Sequence, residues 1–182
     1  MQAASKMYAS ALMSIGREDG SAPRLYEEIL ELDRLMRENP ELDELLISPA
    51  FSSEEKIGVI SSLFSGKIDP MLYNTVCLLT EKRRMSLFHE IASDFRASYY
   101  EAYGIAEADV TTAVPMNAEL REKLKVKLER YFGKKMILNE HIDPHVLGGV
   151  RVVCGGEMLD GTLRSRLDSM KDMITDNMTI GR

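Results

Sequence analysis

The fold turns on residues 148–167, which read Gly148-Gly149-Val150-Arg151-Val152-Val153-Cys154, then Gly155-Gly156-Glu157-Met158-Leu159-Asp160-Gly161-Thr162, then Leu163-Arg164-Ser165-Arg166-Leu167. A β-branched run between two glycine pairs predicts a strand that enters and leaves through tight backbone turns. Gly155-Gly156 fits a hairpin turn that needs positive φ, with a short strand at Met158-Leu159 beyond it. Asp160 or Thr162 can cap a following helix, on which Leu163, Leu167, Met170 and Ile174 recur at helical spacing.

Working outward, Met136-Ile137-Leu138 reads as another strand and Asp143-Pro144 as the turn that leads into the glycine pair. Before it, Asn117 can cap a helix bearing Leu120, Leu124, Leu128 and Tyr131. Val110-Thr111-Thr112-Ala113-Val114 reads as a strand that Pro115 ends. The order is β-α-β-β-α, with the short strand at Met158-Leu159 added.

Upstream of Gly104 the period changes from two to 3.6. Tyr8, Ala11, Leu12 and Ile15 mark a first helix that Gly20 ends, and Leu25, Ile29, Leu32 and Met36 a second, with Pro23 in its first turn. Asn39-Pro40 breaks it, and a short third helix with Leu42, Leu45 and Leu46 stops before Pro49. Ser52 or Ser53 opens a fourth, where Glu54 and Glu55 favour the positive end of the dipole. Asp69-Pro70 starts a fifth, and a sixth runs from about Ser86 with Phe88, Ile91, Phe95, Tyr99 and Ala102 on one side. On helix five, Met71, Leu72, Tyr73, Val76, Cys77, Leu78 and Leu79 surround the axis and leave only Asn74 and Thr75 polar. Such a helix is either central in its bundle or lends an open face to a partner helix. The expectation is an α+β chain: a six-helix bundle over residues 1–104, then a small β-α-β-β-α domain over residues 105–182.

The 182 residues, 45% apolar and 29% charged, have the composition of a soluble globular protein. No apolar run approaches the roughly 18–20 residues that cross a bilayer. The first residues resemble neither a secretory signal nor a transit peptide, so a bacterial cytosolic setting is expected, although a processed organelle form would look similar. Residues 1–104 hold 11 Lys and Arg against 17 Asp and Glu, a net of −6, and residues 105–182 hold 12 of each. An acidic first half argues against nucleic acid as a partner, since phosphate contact needs excess positive charge.

Few residues stand in patterns that point to bond chemistry. The four glycines lack the lysine of a phosphate loop and the spacing of a dinucleotide fingerprint. His141 and His145 are four apart, but Pro144 between them prevents one helix from presenting both to a metal. Cys77 and Cys154 sit among apolar neighbours and read as buried thiols. His89, beside Phe88, reads as an amphipathic surface residue. No nucleophile, base and oxyanion group converge in a recognisable order. Arg151, Arg164 and Arg166 could form a small basic patch for an acidic partner helix, or a solvated face. The residues alone thus describe a two-domain, non-enzymatic interaction protein with no cofactor.

In that frame the chain resembles the delta subunit of F-type ATP synthases, the oligomycin-sensitivity-conferring protein of mitochondria. Gly148-Gly149, Gly155-Gly156, Asp160-Gly161-Thr162, Arg164, Arg166 and Leu167 match the family's glycine pair, strand, glycine turn and Asp-Gly-Ser/Thr helix start. Tyr8-Ala9-Ser10-Ala11-Leu12, Ser48-Pro49 before Glu54-Glu55-Lys56, Val110-Thr111-Thr112-Ala113 and Ile142-Asp143 match in order along the chain. Glu81-Lys82-Arg83-Arg84-Met85 departs from the typical Glu-Asn-Gly-Arg-Leu turn, and Val153 stands where a polar residue is commoner.

The resemblance implies a non-catalytic stator subunit that links the catalytic head to the peripheral stalk and resists rotor torque, so that proton flow stays coupled to ATP synthesis. It implies that the helical bundle binds the N-terminal helix of an alpha subunit, with helices one and five as groove walls. Here those walls are Tyr8, Ala11, Leu12 and Ile15, with Leu72, Val76, Leu78 and Leu79. It implies that the second domain, shaped by Gly148, Gly149, Gly155, Gly156, Asp160, Gly161, Arg164 and Arg166, binds the b subunits. The membrane is then reached only through the complex, at the bacterial cytoplasmic face, with no nucleic acid and no small-molecule substrate. The rival readings are a helical adaptor outside any ATP synthase and an RNA-binding β-α-β-β-α domain. The latter lacks aromatic residues on its candidate strands.

Overall fold

A computed structural model describes residues 2–146, 148–163 and 165. It is α+β and divides into two compact units, Met1–Ala102 and Tyr103–Arg182.

The first unit holds α1 (Gln2–Glu18), α2 (Ala22–Glu38), α3 (Pro40–Ile47), α4 (Ser53–Phe64), α5 (Pro70–Glu81) and α6 (Phe88–Tyr103). Each boundary has a local chemical cause. In α2 the stripe Ala22, Leu25, Ile29, Leu32 and Met36 is buried along its whole length. Asn39 ends that helix by turning its side-chain amide back to the Leu35 carbonyl at 2.8 Å, and Pro40 opens the next. At α4 a reciprocal cap forms, in which the Ser52 hydroxyl accepts from Glu55 N while the Glu55 carboxylate accepts from Ser52 N. Asp69 Oδ1 accepts from Met71 N at 2.9 Å to start α5, and Asp69 N donates to Glu28, which ties that start to α2. The sixth helix begins two residues later than its apolar pattern predicts, because Met85–Leu87 forms a 3₁₀ turn first.

The core of this unit comprises the α2 stripe together with Ile60, Leu72, Val76, Leu79, Phe88, Ile91 and Phe95. Tyr26 stacks on Tyr99 with ring centroids 4.2 Å apart, and its hydroxyl meets that of Tyr100 at 2.9 Å. His89 is no loose surface residue. Its Nδ1 lies 2.7 Å from Asp33 on α2 and its Nε2 3.3 Å from Asp43 on α3, so one imidazole clamps three helices. The sequence pattern hides this because the partners are 56 and 46 positions away.

In the second unit β1 (Ile105–Thr112), α7 (Ala118–Phe132), β2 (Lys135–Ile142), β3 (Val150–Cys154) and β4 (Glu157–Asp160) build a sheet of order β2-β1-β3-β4. β1 and β2 are parallel, joined across α7 as a parallel pair requires, and the other two pairings are antiparallel. Val110 lies opposite Val152 and Ala108 opposite Cys154, so β1 and β3 turn the same alternate residues to one face. Those residues form the core with Met136 and Leu128, and Leu124 and Phe132 of α7 pack against them. Burial also pushes the Cys154 thiol up from its ordinary pKa.

Two strands differ from the sequence reading. β1 starts at Ile105, directly after Gly104, and ends at Thr112, so Ala113 and Val114 lie outside it. Pairing with β2 extends it backward to Ile105, opposite Lys135, and the Thr112 hydroxyl donates to the Val114 carbonyl where the chain turns away. β2 likewise runs on to Ile142 and places His141 on a strand, while His145 falls in a 3₁₀ turn, Pro144–Val146. Gly155 and Gly156, at φ 58° and 86°, close the hairpin between β3 and β4. The expected last helix, with Leu167, Met170 and Ile174, lies outside the described residues, as do Arg164 and Arg166.

Candidate partner-binding surfaces

The eight apolar positions expected on helices one and five separate by burial. Leu12, Leu72, Val76 and Leu79 are in the core, and Leu79 has no exposed surface. Ala11 is exposed, Ile15 is 37% exposed and Leu78 41%, while Tyr8 is half-buried. Helix five is therefore not apolar all round in effect, because Asn74 and Leu78, four apart, share one solvent-facing side. α1 and α5 both pack on α2, so a single helix carries the two candidate walls.

In the second unit the stretch around the glycine pair is held backbone to backbone. Gly161 N donates to Val150 O at 2.9 Å, and Leu163 N donates to Gly148 O at 3.0 Å. A Cβ on Gly149 would stand 2.5 Å from Gly161 O and 2.9 Å from Thr162 Cα, and its φ of +84° is one that side chains disfavour. Only glycine fits there. Asp160 Oδ1 accepts from Thr162 N at 2.9 Å, and the buried Thr162 hydroxyl accepts from Ser165 N at 3.2 Å, so both expected caps are used in series. The Thr162 amide and hydroxyl, with help from Arg151, hold the Asp160 carboxyl below the usual carboxylate range. Arg151 Nε sits 3.2 Å from Asp160 Oδ2, so its charge is already matched within the hairpin rather than free for a basic patch.

Beside this crossing lies an apolar cleft of ≈ 430 Å³, lined by Val114, Met116, Leu120, Leu124, Gly148 and Gly149, with Lys123 and Lys127 also in its wall. Val114 and Leu120 are exposed in it. The structural glycines thus shape one side of an open apolar surface. Sequence pattern assigned Leu120 and Leu124 to a helix face but gave no sign of a cleft, which depends on the turn after Thr112. On the other side of the sheet, Val153 and Met158 lie opposite one another on neighbouring strands and are both exposed.

Among the described residues no group of three or more His, Cys, Asp or Glu is placed to hold a metal. His141 Nε2 instead faces Asp109 at 3.6 Å. Among the described residues, too, no helix is long and apolar enough to cross a membrane.

Comparison with known proteins places this geometry. A delta subunit of ATP synthase from Alkaliphilus metalliredigens is 33% identical over 169 residues, covering 93% of this chain and 94% of the relative. One from Citrifermentans bemidjiense is 30% identical over 173 residues, covering 94% and 96%. A chain in the cryo-EM structure of the Toxoplasma gondii mitochondrial ATP synthase hexamer shares the fold at TM-score 0.70, with 20% identity over 94% of this chain and 97% of that one. The family model for the ATP synthase delta (OSCP) subunit matches residues 4–174, and the chain belongs to that family.

Proposed function

We propose that this protein is a non-catalytic stator subunit of an F-type proton-translocating ATP synthase, joining the catalytic head to the peripheral stalk against the torque of the rotor. The observation that carries the reading is the family match along residues 4–174, which spans both units. A joint that bears torque needs two binding surfaces on one chain, and each unit has exposed apolar surface of its own.

The six helices of the first unit bind the N-terminal helix of an alpha subunit. Ala11, Ile15 and Leu78 contact it, Tyr8 lies at the edge, and Leu12, Leu72, Val76 and Leu79 support them from the core. The β-α-β-β-α unit binds the ends of the b subunits, with Gly148, Gly149, Gly155, Gly156, Asp160 and Gly161 fixing its backbone. The protein sits at the cytoplasmic face of a bacterial membrane and reaches it through the complex alone.

Reconstitution tests the whole reading: added to an enzyme stripped of its delta subunit, the protein restores coupling between proton flow and ATP turnover. Failure to restore it, with no capture of alpha or b subunits from membranes, favours an adaptor outside the synthase. Calorimetry tests the first surface. Leu78→Asp and Ala11→Asp each weaken binding of an alpha N-terminal peptide about tenfold or more with helical content intact. Unchanged affinity in both removes these positions from the contact.

A further inference from the structure

A small pocket of ≈ 130 Å³ in the helical unit lies where α3 ends, α4 begins and the 3₁₀ turn follows α5. Leu46, Phe51 and Met85 give it apolar walls, and Ser53, Lys56 and Arg83 give it a polar end. Lys56 is only 6% exposed, unusual for a lysine side chain. Its Nζ donates to the Ser48 carbonyl at 2.6 Å, at the C-terminus of α3. A helix end carries about half a negative charge, which offsets an ammonium in part. Its sequence neighbour Glu55 is turned away to cap Ser52 N at 2.8 Å. Among the described residues no carboxylate forms an ion pair with Lys56 or with Arg83.

Arg83 adds a second, independent oddity. It has φ 55°, in the left-handed region, directly after α5, and its amide donates to Thr80 O at 3.0 Å. That is the place in a helix terminus where glycine is favoured, and it is where the family's Glu-Asn-Gly-Arg turn has its glycine. Here the chain bears the cost of a side chain at that position and thereby brings a guanidinium to the same pocket as a buried lysine.

We propose that this pocket binds a carboxylate carried on a short apolar stem. Lys56 and Arg83 take the charge, the Ser53 hydroxyl donates to the second oxygen once it leaves its long 3.5 Å bond to the Thr80 carbonyl, and Leu46, Phe51 and Met85 enclose the methylenes. The apolar walls disfavour a bare phosphate, whose oxygens need donors on every side. None of the residues lining it is among those proposed to contact the alpha subunit or the stalk.

The test is an NMR titration of the full ¹⁵N-labelled chain with butyrate, with its neutral isostere butyramide and with inorganic phosphate. Butyrate shifts the amides of Ser53, Arg83 and Ser86 saturably, butyramide does not, and phosphate binds at least about tenfold more weakly. Arg83→Gly relieves the left-handed conformation, so its thermal midpoint stays or rises while butyrate affinity falls about tenfold. Lys56→Met removes the buried charge, keeps the stem, and lowers the affinity at least as far. A capped Leu-Glu-Leu peptide that binds more tightly than butyrate assigns the carboxylate to a protein side chain, and one that binds more weakly assigns it to a free acid. No saturable shift with butyrate, equal response to butyramide, equal affinity for phosphate, or unchanged affinity in either folded variant overturns the site.

Discussion

In the helical unit α5 sets Leu78 in solvent beside Leu79 in the core, whereas the α/β unit leaves Val114 and Leu120 open around a cleft that Gly148 and Gly149 help to line. The two units thus offer apolar surface by different means. On a helix the rotation of about 100° per residue sorts neighbours into inside and outside, so an exposed residue can change without disturbing the one beneath it. Around Gly149 the segments at 148–150 and 161–163 touch main chain to main chain. No side chain can yield there, so surface and scaffold are the same atoms. Tolerance to substitution should differ accordingly.

The largest expected effect comes from Gly149→Asp. A Cβ placed 2.5 Å from a carbonyl oxygen forces the two segments apart, breaks the Gly161 to Val150 bond and strains a φ of +84°. The cost should exceed about 3 kcal/mol and fall on the α/β unit. Hydrogen exchange read amide by amide should show β3 and β4 losing protection while α2 and α6 keep theirs. Gly149→Ala should behave alike, since the first carbon already collides. A stable, fully protected Gly149→Ala would mean that the crossing can open and that backbone contact does not define this surface.

The adjacent pair on α5 gives the next contrast. Leu79→Ala empties a site of 0% exposure and should cost about 2–5 kcal/mol in chemical denaturation. Leu78→Asp, at 41% exposure, should change stability by about 0.5 kcal/mol or less. If the two cost the same, Leu78 is packed rather than presented, and the helical unit loses the separation of surface from core.

Much of this organisation was legible in the residues. The caps at Ser52, Asp69, Asn117 and Thr162 and the hairpin at Gly155-Gly156 are local devices, and their partners stand within three positions. What escaped pattern reading depends on partners far along the chain. β1 begins at Ile105 because β2 pairs with it from Lys135 onward, and nothing between Ile105 and Asp109 announces a strand by itself. An all-round apolar composition on α5 could not say that Leu78 faces out, because that follows from which neighbours α2 and α4 supply. The burial of Lys56 ran against its charge and against the acidic run before it. The His89 clamp needed Asp33 and Asp43, which lie on two other helices.

That clamp gives a smaller effect than either core change, and one that separates the units by the reach of their contacts. Burial pushes the Asp33 carboxyl upward, but hydrogen bonds from Arg37 and His89 outweigh it and hold the group below its ordinary pKa. A depressed folded-state pKa stabilises the native state above the unfolded value. The contribution is lost as pH falls through the lowered one, below about pH 4. Asp160 in the α/β unit is also depressed, chiefly by the amide of Thr162, two residues away, whereas Asp33 is lowered first by Arg37, four positions on in the same helix, and then by His89, 56 positions distant. A short turn can re-form in an unfolded chain, and a bond between α2 and α6 cannot. Asp33→Asn should therefore remove about 1 kcal/mol at neutral pH, with the gap to the wild type closing below about pH 4. Asp160→Asn should leave the acid dependence of unfolding nearly unchanged. Denaturation curves for the two variants from neutral pH to about pH 3 would decide it. Equal acid dependence would mean that the clamp between helices contributes no more than a local turn.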